Sequence, residues 1–485
     1  MENNRKIRKR LLFAGDLALL SPTHLSNGDD DPSVDLPLLT DPLEGRALLT
    51  GASLTGALRH YLNSFTDGYH QVTKDKKRVW EEKKNSDATR LFGGSRANDN
   101  GGQSRLILHD ALDKAPTPAI ELRDGVRIDP KSRTAEDQAK YDVQLLAAGT
   151  TFTISGELII TEKDDEADLK QLLAVALGGL QRGEIPLGGR KQRGYGECCA
   201  GNWRLWEYDL TTAAGLKGYL THNRSWGGKT SPQKDKDDDI QKLLQVKTMP
   251  ADRRQHGSIE ATFGIDGSVL IRSGFESESG PDMSHLESSR PGASEKVPVM
   301  SGTSLAGVMR GQALRIANTL GGDPQRVEQF INTLFGYMPW RQGEVGSKQT
   351  SKVRVKESVI KGNYVKLVHT RVAIDRFTGG ALESALFAEQ PIYGGEFTLK
   401  LMVNRPTEAE MGLLLLVLKD LWTGFLPVGG ESSVGRGRLQ GRSATVNYGG
   451  KEWVFADAGN RKLTFTAGDP ARLEALVAKF VEELR

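Results

Sequence analysis

The segment Asn27-Gly-Asp-Asp-Asp-Pro-Ser-Val-Asp-Leu-Pro-Leu-Leu-Thr-Asp-Pro42 holds five aspartates. Clustered carboxylates are hard oxygen ligands for a divalent cation, and such a cation can activate a nucleophile or stabilise a leaving oxygen in phosphodiester cleavage. A solvated acidic turn has the same composition, so the loop alone does not make an enzyme. Further along, Gly188-Gly-Arg-Lys-Gln-Arg-Gly-Tyr-Gly196 and Gly429-Gly-Glu-Ser-Ser-Val-Gly-Arg-Gly-Arg438 set cations among glycines. Glycines let backbone N–H groups turn toward an anion, and Arg190, Lys191, Arg193, Arg436 and Arg438 can add charge-assisted bonds to phosphate oxygens. A third candidate anion site is the helix start at Gly51-Ala-Ser53, where Ser53 is expected as the N-cap and Arg59 lies further along the helix; Ser304 and Arg310 repeat the arrangement.

These features recur because the chain contains a diverged second copy of itself. Gly51-Ala-Ser-Leu-Thr-Gly-Ala-Leu-Arg59 returns as Gly302-Thr-Ser-Leu-Ala-Gly-Val-Met-Arg310, an offset of 251 residues (51 to 302). Leu91-Phe92-Gly93, Ile128-Asp129 and Ile185-Pro-Leu-Gly-Gly189 return in the same order as Leu334-Phe335-Gly336, Ile374-Asp375 and Leu426-Pro-Val-Gly-Gly430. Slowly drifting offsets are what loop insertions do to a duplicated domain, and a period this long means tandem domains rather than a solenoid. The expected division is a first domain over 1–222, a linker over 223–254 rich in Lys, Asp, Gln, Gly and Ser, and a second domain over 255–485.

Composition narrows the class. With 65 basic and 62 acidic residues the net charge is only +3, so a nucleic-acid surface must be local rather than a global cationic field. No apolar run approaches the ~20 residues of a membrane span. The stretch after the basic N-terminus is broken by Gly15 and Asp16 and lacks a small-residue cleavage site, so a cytoplasmic location is expected. Adjacent Cys198 and Cys199 are poor geometry for a disulfide and too few for a zinc site.

The elements that must position these residues follow from periodicity. In each copy an apolar stripe at helical spacing (Leu54, Ala57, Leu58, Tyr61, Leu62, Phe65; Leu305, Val308, Met309, Ala313, Ile316) follows a strand, and a leucine-rich second helix is expected over Asp168–Leu180 and Ala409–Trp422. Strands are expected at Leu11–Leu20, Arg105–His109, Thr151–Ile160 and Glu197–Trp206, with partners at Ser258–Arg272, Lys352–Ser358, Glu396–Val403 and Arg438–Val446. The order βαββαβ is the split-βαβ unit, so the fold class is α+β: two tandem ferredoxin-like, RRM-like domains with long loop insertions at Thr66–Ser104, Asp129–Gly149 and Asp375–Gly394.

Together these pieces resemble the RAMP superfamily, specifically the backbone subunits of type III CRISPR effector complexes, with two units fused. The resemblance rests on Asp35-Leu-Pro-Leu-Leu-Thr-Asp-Pro42 leading into Gly51-Ala-Ser-Leu-Thr-Gly56 and on the glycine-rich loops before each last strand. It implies a protein that binds guide RNA, kinks it with a thumb hairpin and cuts complementary single-stranded target RNA. It also implies neighbours: adjacent RAMP subunits, a small subunit and a large polymerase-like subunit, with no membrane. The family's catalytic aspartate corresponds to Asp35, as ligand of Mg²⁺ (or Mn²⁺) or as a group orienting the 2′-hydroxyl, and His24 falls where the family often has a histidine. The offset of 251 carries Asp35 onto Leu286 and His24 onto Phe275, so the second site is expected to be dead or rebuilt around Asp282 or Glu287. By the same resemblance the segments from Asp129 and Asp375 are the thumbs, with Val143, Leu145, Phe377 and Leu382 as wedges between bases. Two other readings stay open: an inactive RNA-binding scaffold of the same complex, and a guide-precursor endoribonuclease with a histidine base, for which no paired histidines stand near the glycine loops.

Overall fold

The computed structural model describes residues 6–26, 35–68, 71–74, 77–80, 86–94, 102–129, 134–223, 235–273, 280–337, 348–459 and 462–485. In the first half β1 (Ile7–Leu19), α1 (Gly51–Asp67), β2 (Leu106–Leu108), a hairpin of β3 (Ile120–Ile128) and β4 (Ala135–Leu146), β5 (Thr151–Thr161), α2 (Glu166–Gln181) and β6 (Cys198–Asp209) follow one another. The sheet runs β6-β1-β5-β2 with antiparallel neighbours. The second half repeats it with β7 (His256–Asp266), α3 (Gly302–Thr319), β8 (Val353–Val355), hairpin strands β9 (His369–Ile374) and β10 (Ala381–Gln390), β11 (Ile392–Asn404), α4 (Glu408–Trp422) and β12 (Arg438–Tyr448), in the order β12-β7-β11-β8. Both are ferredoxin-like sheets, last strand beside first, as the sequence order predicts.

Each half has its own core. Leu11, Phe13, Leu54, Leu58, Leu172 and Leu173 meet in one, Ile259, Phe263, Leu305, Met309, Leu413 and Leu414 in the other. At roughly 1.5–3 kcal/mol for each fully buried large apolar side chain, these stripes hold the helices on their sheets. The C-terminal α5 (Pro470–Leu484), capped by Asp469, packs on α4 so closely that a Cβ at Gly412 would lie 2.2 Å from the Leu476 carbonyl oxygen. Part of the segment expected as linker belongs to the first half: Asp235–Asp237 pairs with β6, and Ile240, Leu243 and Leu244 are buried in its core.

Several local expectations change. The first helices begin at Gly51 and Gly302, and their N-caps are Thr50 and Ser301, whose hydroxyls accept from Ser53 N (3.2 Å) and Ser304 N (3.1 Å). Glycine is required at the start because a Cβ there would sit 2.4 Å from the Leu108 or Val355 carbonyl oxygen of the neighbouring strand. The strand expected over Ser258–Arg272 stops at Asp266, where Gly267 (φ 82°) turns the chain and Ser268–Val269 pairs with β11. The inserts after Asp129 and Asp375 are not irregular: each is the return arm of a hairpin, closed by Asp129 N to Thr134 O and Asp375 N to Gly380 O (both 2.9 Å).

The halves meet through buried ion pairs. Arg123 of β3 is bound by Glu357, which also accepts from Arg290 (2.6 Å), while Glu121 accepts from Ser288 Oγ (3.1 Å) and Ser289 N (2.7 Å). Glu197 pairs with Arg354 and with Lys356 (2.6 Å). The Arg193 carbonyl lies against the start of α3, where a Cβ at Gly302 would approach it to 2.5 Å.

Candidate RNA-cleavage and RNA-binding sites

Asp35 stands on the return from the loop that follows β1. Its Oδ2 accepts a hydrogen bond from Asp142 N (2.9 Å) of β4, and the next residue, Leu36, forms a parallel bridge with Val143. The carboxylate is thereby fixed to the hairpin. Beside it the first glycine-rich loop wraps the exit of β1: Gly189 N donates to His24 O (2.8 Å), and Gly196 N to Pro22 O (3.1 Å). At Gly188 (φ 79°) a Cβ would come 2.2 Å from the same His24 oxygen, so only glycine lets the loop close. Arg190 stacks its guanidinium 4.2 Å from the centre of the Tyr141 ring, next to Asp142. His24 is buried, and burial followed by the nearby Arg190 charge holds its pKa below the ordinary value, so it is neutral at physiological pH.

The second half places Asp282 in the same position. Its Oδ2 accepts from Ala388 N (2.6 Å) of β10, and Met283 pairs in parallel with Glu389. Asp142 and Ala388 are themselves equivalent, since Asp124↔Asp142 and Thr370↔Ala388 occupy the same rungs of the two hairpins. The sequence comparison aimed at Leu286 because four more residues separate Asp282 from Gly302 than separate Asp35 from Gly51. Glu287 pairs with Lys366 (2.5 Å). The buried His285 uses both ring nitrogens, accepting from Ile271 N (3.2 Å) and meeting Val299 O (3.0 Å), and burial pushes its pKa down to about 4. The counterpart of His24 is Leu270, whose carbonyl accepts from Gly430 N (2.8 Å), while Phe275 lies outside the described residues.

The cations divide unequally. Lys191 and Arg193 are exposed in the first loop. In the second loop Glu431 replaces Arg190, and Arg436 is not the phosphate-facing cation expected: it is buried and paired with Glu389 (3.1 Å) and Glu431 (3.2 Å), which also bind Arg371. Arg438 remains half exposed. Arg59 and Arg310 are structural as well, donating to the carbonyls of Gly93 (2.9 Å) and Gly336 (2.6 Å), the glycines that end the repeated Leu-Phe-Gly motif. Nor is the start of α1 an open anion site. Thr50 and Asp110 take the N–H groups of Ser53 and Gly51, as Ser301 takes that of Ser304.

The hairpins differ in what they offer to bases. Val143 and Leu145 are not wedges: strand alternation turns them inward, into a cluster with Leu36, Tyr141 and Tyr195. The outward face of β3 carries Ile120, Leu122, Val126 and Ile128 instead. In the second hairpin Phe377 is 97% exposed at the tip and Leu382 about half exposed, held by a turn in which Asp375 accepts from Phe377 N (2.9 Å) and the Thr378 hydroxyl (2.9 Å). Sequence reasoning missed Tyr141, Glu357 and the Glu389–Glu431–Arg371 cluster. The Ile128/Ile374 offset, applied to the strands behind it, pairs Asp142 with Ala388, and the bond from Ala388 N then singles out Asp282 from the two candidates Asp282 and Glu287.

Two ferredoxin-like units, each with an aspartate tied to a hairpin and a glycine-rich loop before its last strand, define a duplicated α+β architecture. Residues 16–199 and 269–440 match the family model of the RAMP superfamily, and the chain belongs to that superfamily. It is therefore a CRISPR-associated RNA-binding protein. No curated protein matches it. Among the described residues no helix is long and apolar enough to cross a membrane, and no three His, Cys, Asp or Glu side chains come together as a metal cage.

Proposed function

We propose that the chain is a double backbone subunit of a type III CRISPR complex, which binds guide RNA through both halves and cleaves complementary target RNA at Asp35 and at Asp282. The observation that carries this reading is the repeated bond from a hairpin N–H to each carboxylate, in the same register, although the spacing from carboxylate to helix start differs by four residues between the copies. A merely solvated aspartate has no reason to keep that bond in both copies. The chemistry common to both sites cannot rest on a histidine, because the partner of His24 is Leu270.

The residues fit a largely hydrated Mg²⁺ that shares its ligands with RNA phosphates, which needs only one or two carboxylates. In the first half Asp35 and Asp142 would hold it; Asp142 Oδ1 is buried without a hydrogen-bond partner among the described residues. In the second half Ala388 replaces Asp142, so the hairpin adds no carboxylate beside Asp282. When bound, the ion supplies charge stabilisation to the phosphate and the leaving oxygen. The hairpins splay the target so that its 2′-hydroxyl attacks in line, Phe377 and Leu382 wedging the second kink, while Lys191 and Arg193 hold phosphates. The assembled complex, given end-labelled complementary RNA, should yield 5′ fragments ending in 2′,3′-cyclic phosphate. Fragments ending in a free 3′-hydroxyl refute attack by the 2′-hydroxyl.

A further inference from the structure

The junction between the halves is a worked example of how one unit of this fold seats on the next, and the repeat allows the same positions to be read on the two outer ends. The seating side of the first half presents Glu121, Arg123, the Arg193 carbonyl and Glu197. The receiving side of the second half presents Ser288, Glu357, the start of α3, and the pair Arg354 and Lys356. Strand pairings fix the equivalents. Arg123↔Val143 and His369↔Glu389 occupy the same rung, so the outward-facing counterparts of Glu121, Arg123, Arg193 and Glu197 are Leu367, His369, Val434 and Arg438. Gly51 over Leu108 matches Gly302 over Val355, so the counterparts of Arg354, Lys356 and Glu357 are Ile107, His109 and Asp110.

A second copy stacked head to tail would therefore set Arg438 against Ile107 and His109, where the internal junction sets Glu197 against two cations. It would set Leu367 against Asp41, the counterpart of Ser288, where the junction has a carboxylate accepting from hydroxyl and N–H. Only His369 facing Asp110 keeps a complementary pair. Misplaced charge at a buried contact works against association and selects among partners. The outer positions are accessible, Leu367 being 51% and Val434 60% exposed and the Arg438 side chain 50%, with Asp266 as its long-range partner at 3.9 Å.

We propose that this chain does not stack on itself, and that its second-half end instead seats on a different subunit of the same fold, one that presents a carboxylate opposite Arg438 and apolar surface opposite Leu367 and Val434. This rests on the backbone-subunit reading, with RNA binding and copy number measured separately so that either can fail alone. The test is light scattering of the purified chain with and without single-stranded RNA of increasing length, RNA binding being followed by fluorescence anisotropy. A single copy without RNA, and copies that load long RNA independently of one another, are expected; multimers without RNA, or cooperative loading on long RNA, overturn the proposal, and loss of RNA binding overturns the backbone reading instead. The variant Ile107→Arg, His109→Lys, His369→Arg, Arg438→Glu, which rebuilds the junction's charges on the outer ends, should form head-to-tail multimers. If it stays a single copy while keeping the wild-type circular dichroism and melting curve, these positions do not decide stacking and the proposal is wrong.

Discussion

Replacing Arg123 by alanine tests how the halves are joined. The Arg123 side chain is 4% exposed and that of Glu357 1%, so both charges have left water and depend on each other. Burial opposes the arginine's charge, but the Glu357 carboxylate outweighs it and raises the arginine's pKa; Arg123 and Arg290 in turn hold Glu357 below the carboxylate range despite its burial. Arg123→Ala leaves Glu357 with Arg290 alone and takes the guanidinium from Glu121. Breaking a buried pair from one side costs about 3–5 kcal/mol, because the remaining charge stays desolvated. Replacing both partners with apolar or neutral groups, as in Arg123→Met with Glu357→Gln, costs far less. Urea unfolding followed by tryptophan fluorescence measures both variants. A loss under about 1 kcal/mol for Arg123→Ala, the size of an exposed ion pair, refutes the junction as described.

Four further outcomes follow from the same geometry. Gly302→Ala should lose about 1–3 kcal/mol in urea unfolding, since its Cβ meets two carbonyl oxygens, those of Val355 (2.4 Å) and Arg193 (2.5 Å). Phe377→Ser, at an exposed tip, should change stability by no more than about 0.5 kcal/mol while slowing the cut assigned to the second half. His285 is neutral in the fold down to about pH 4, whereas the unfolded chain takes up its proton below about 6.5; stability should therefore fall as pH drops through that window, and a His285→Gln variant melted across it should fall less steeply. The cut at Asp282, which lacks a partner for Asp142, should need more Mg²⁺ for half-maximal rate than the cut at Asp35, read from titrations resolved by fragment length.

Much of the fold was legible in the sequence because period and repeat agree. The stripes led by Leu54 and Leu305 and the strand order gave both ferredoxin-like sheets, since apolar spacing is set by which face must be buried. The caps were displaced because serine inside the first turn resembles serine at its edge; only the backbone shows that Thr50 and Ser301 accept the hydrogen bonds. Asp35 could be singled out from sequence, but its twin could not be placed by one rigid offset, because the insertion falls between Asp282 and Gly302. Arg59, Arg310 and Arg436 look like phosphate ligands in a string of letters, since a cation's partner is set by tertiary contact and Glu389 lies far from Arg436 in sequence. Val143 and Leu145 are excluded as wedges for a simpler reason: strand alternation turns both inward, beside Tyr195.

The central claim is that two equivalent carboxylates each cut target RNA. The measurement that tests it most directly is a fragment map of end-labelled complementary RNA, cut by the complex assembled with the wild-type chain, Asp35→Ala, Asp282→Ala and the double variant, with target binding measured in parallel. The account predicts that each single variant loses one cut, that the double variant loses both, and that all four bind target alike. Survival of both cuts in the double variant contradicts it and leaves the protein as an RNA-binding scaffold.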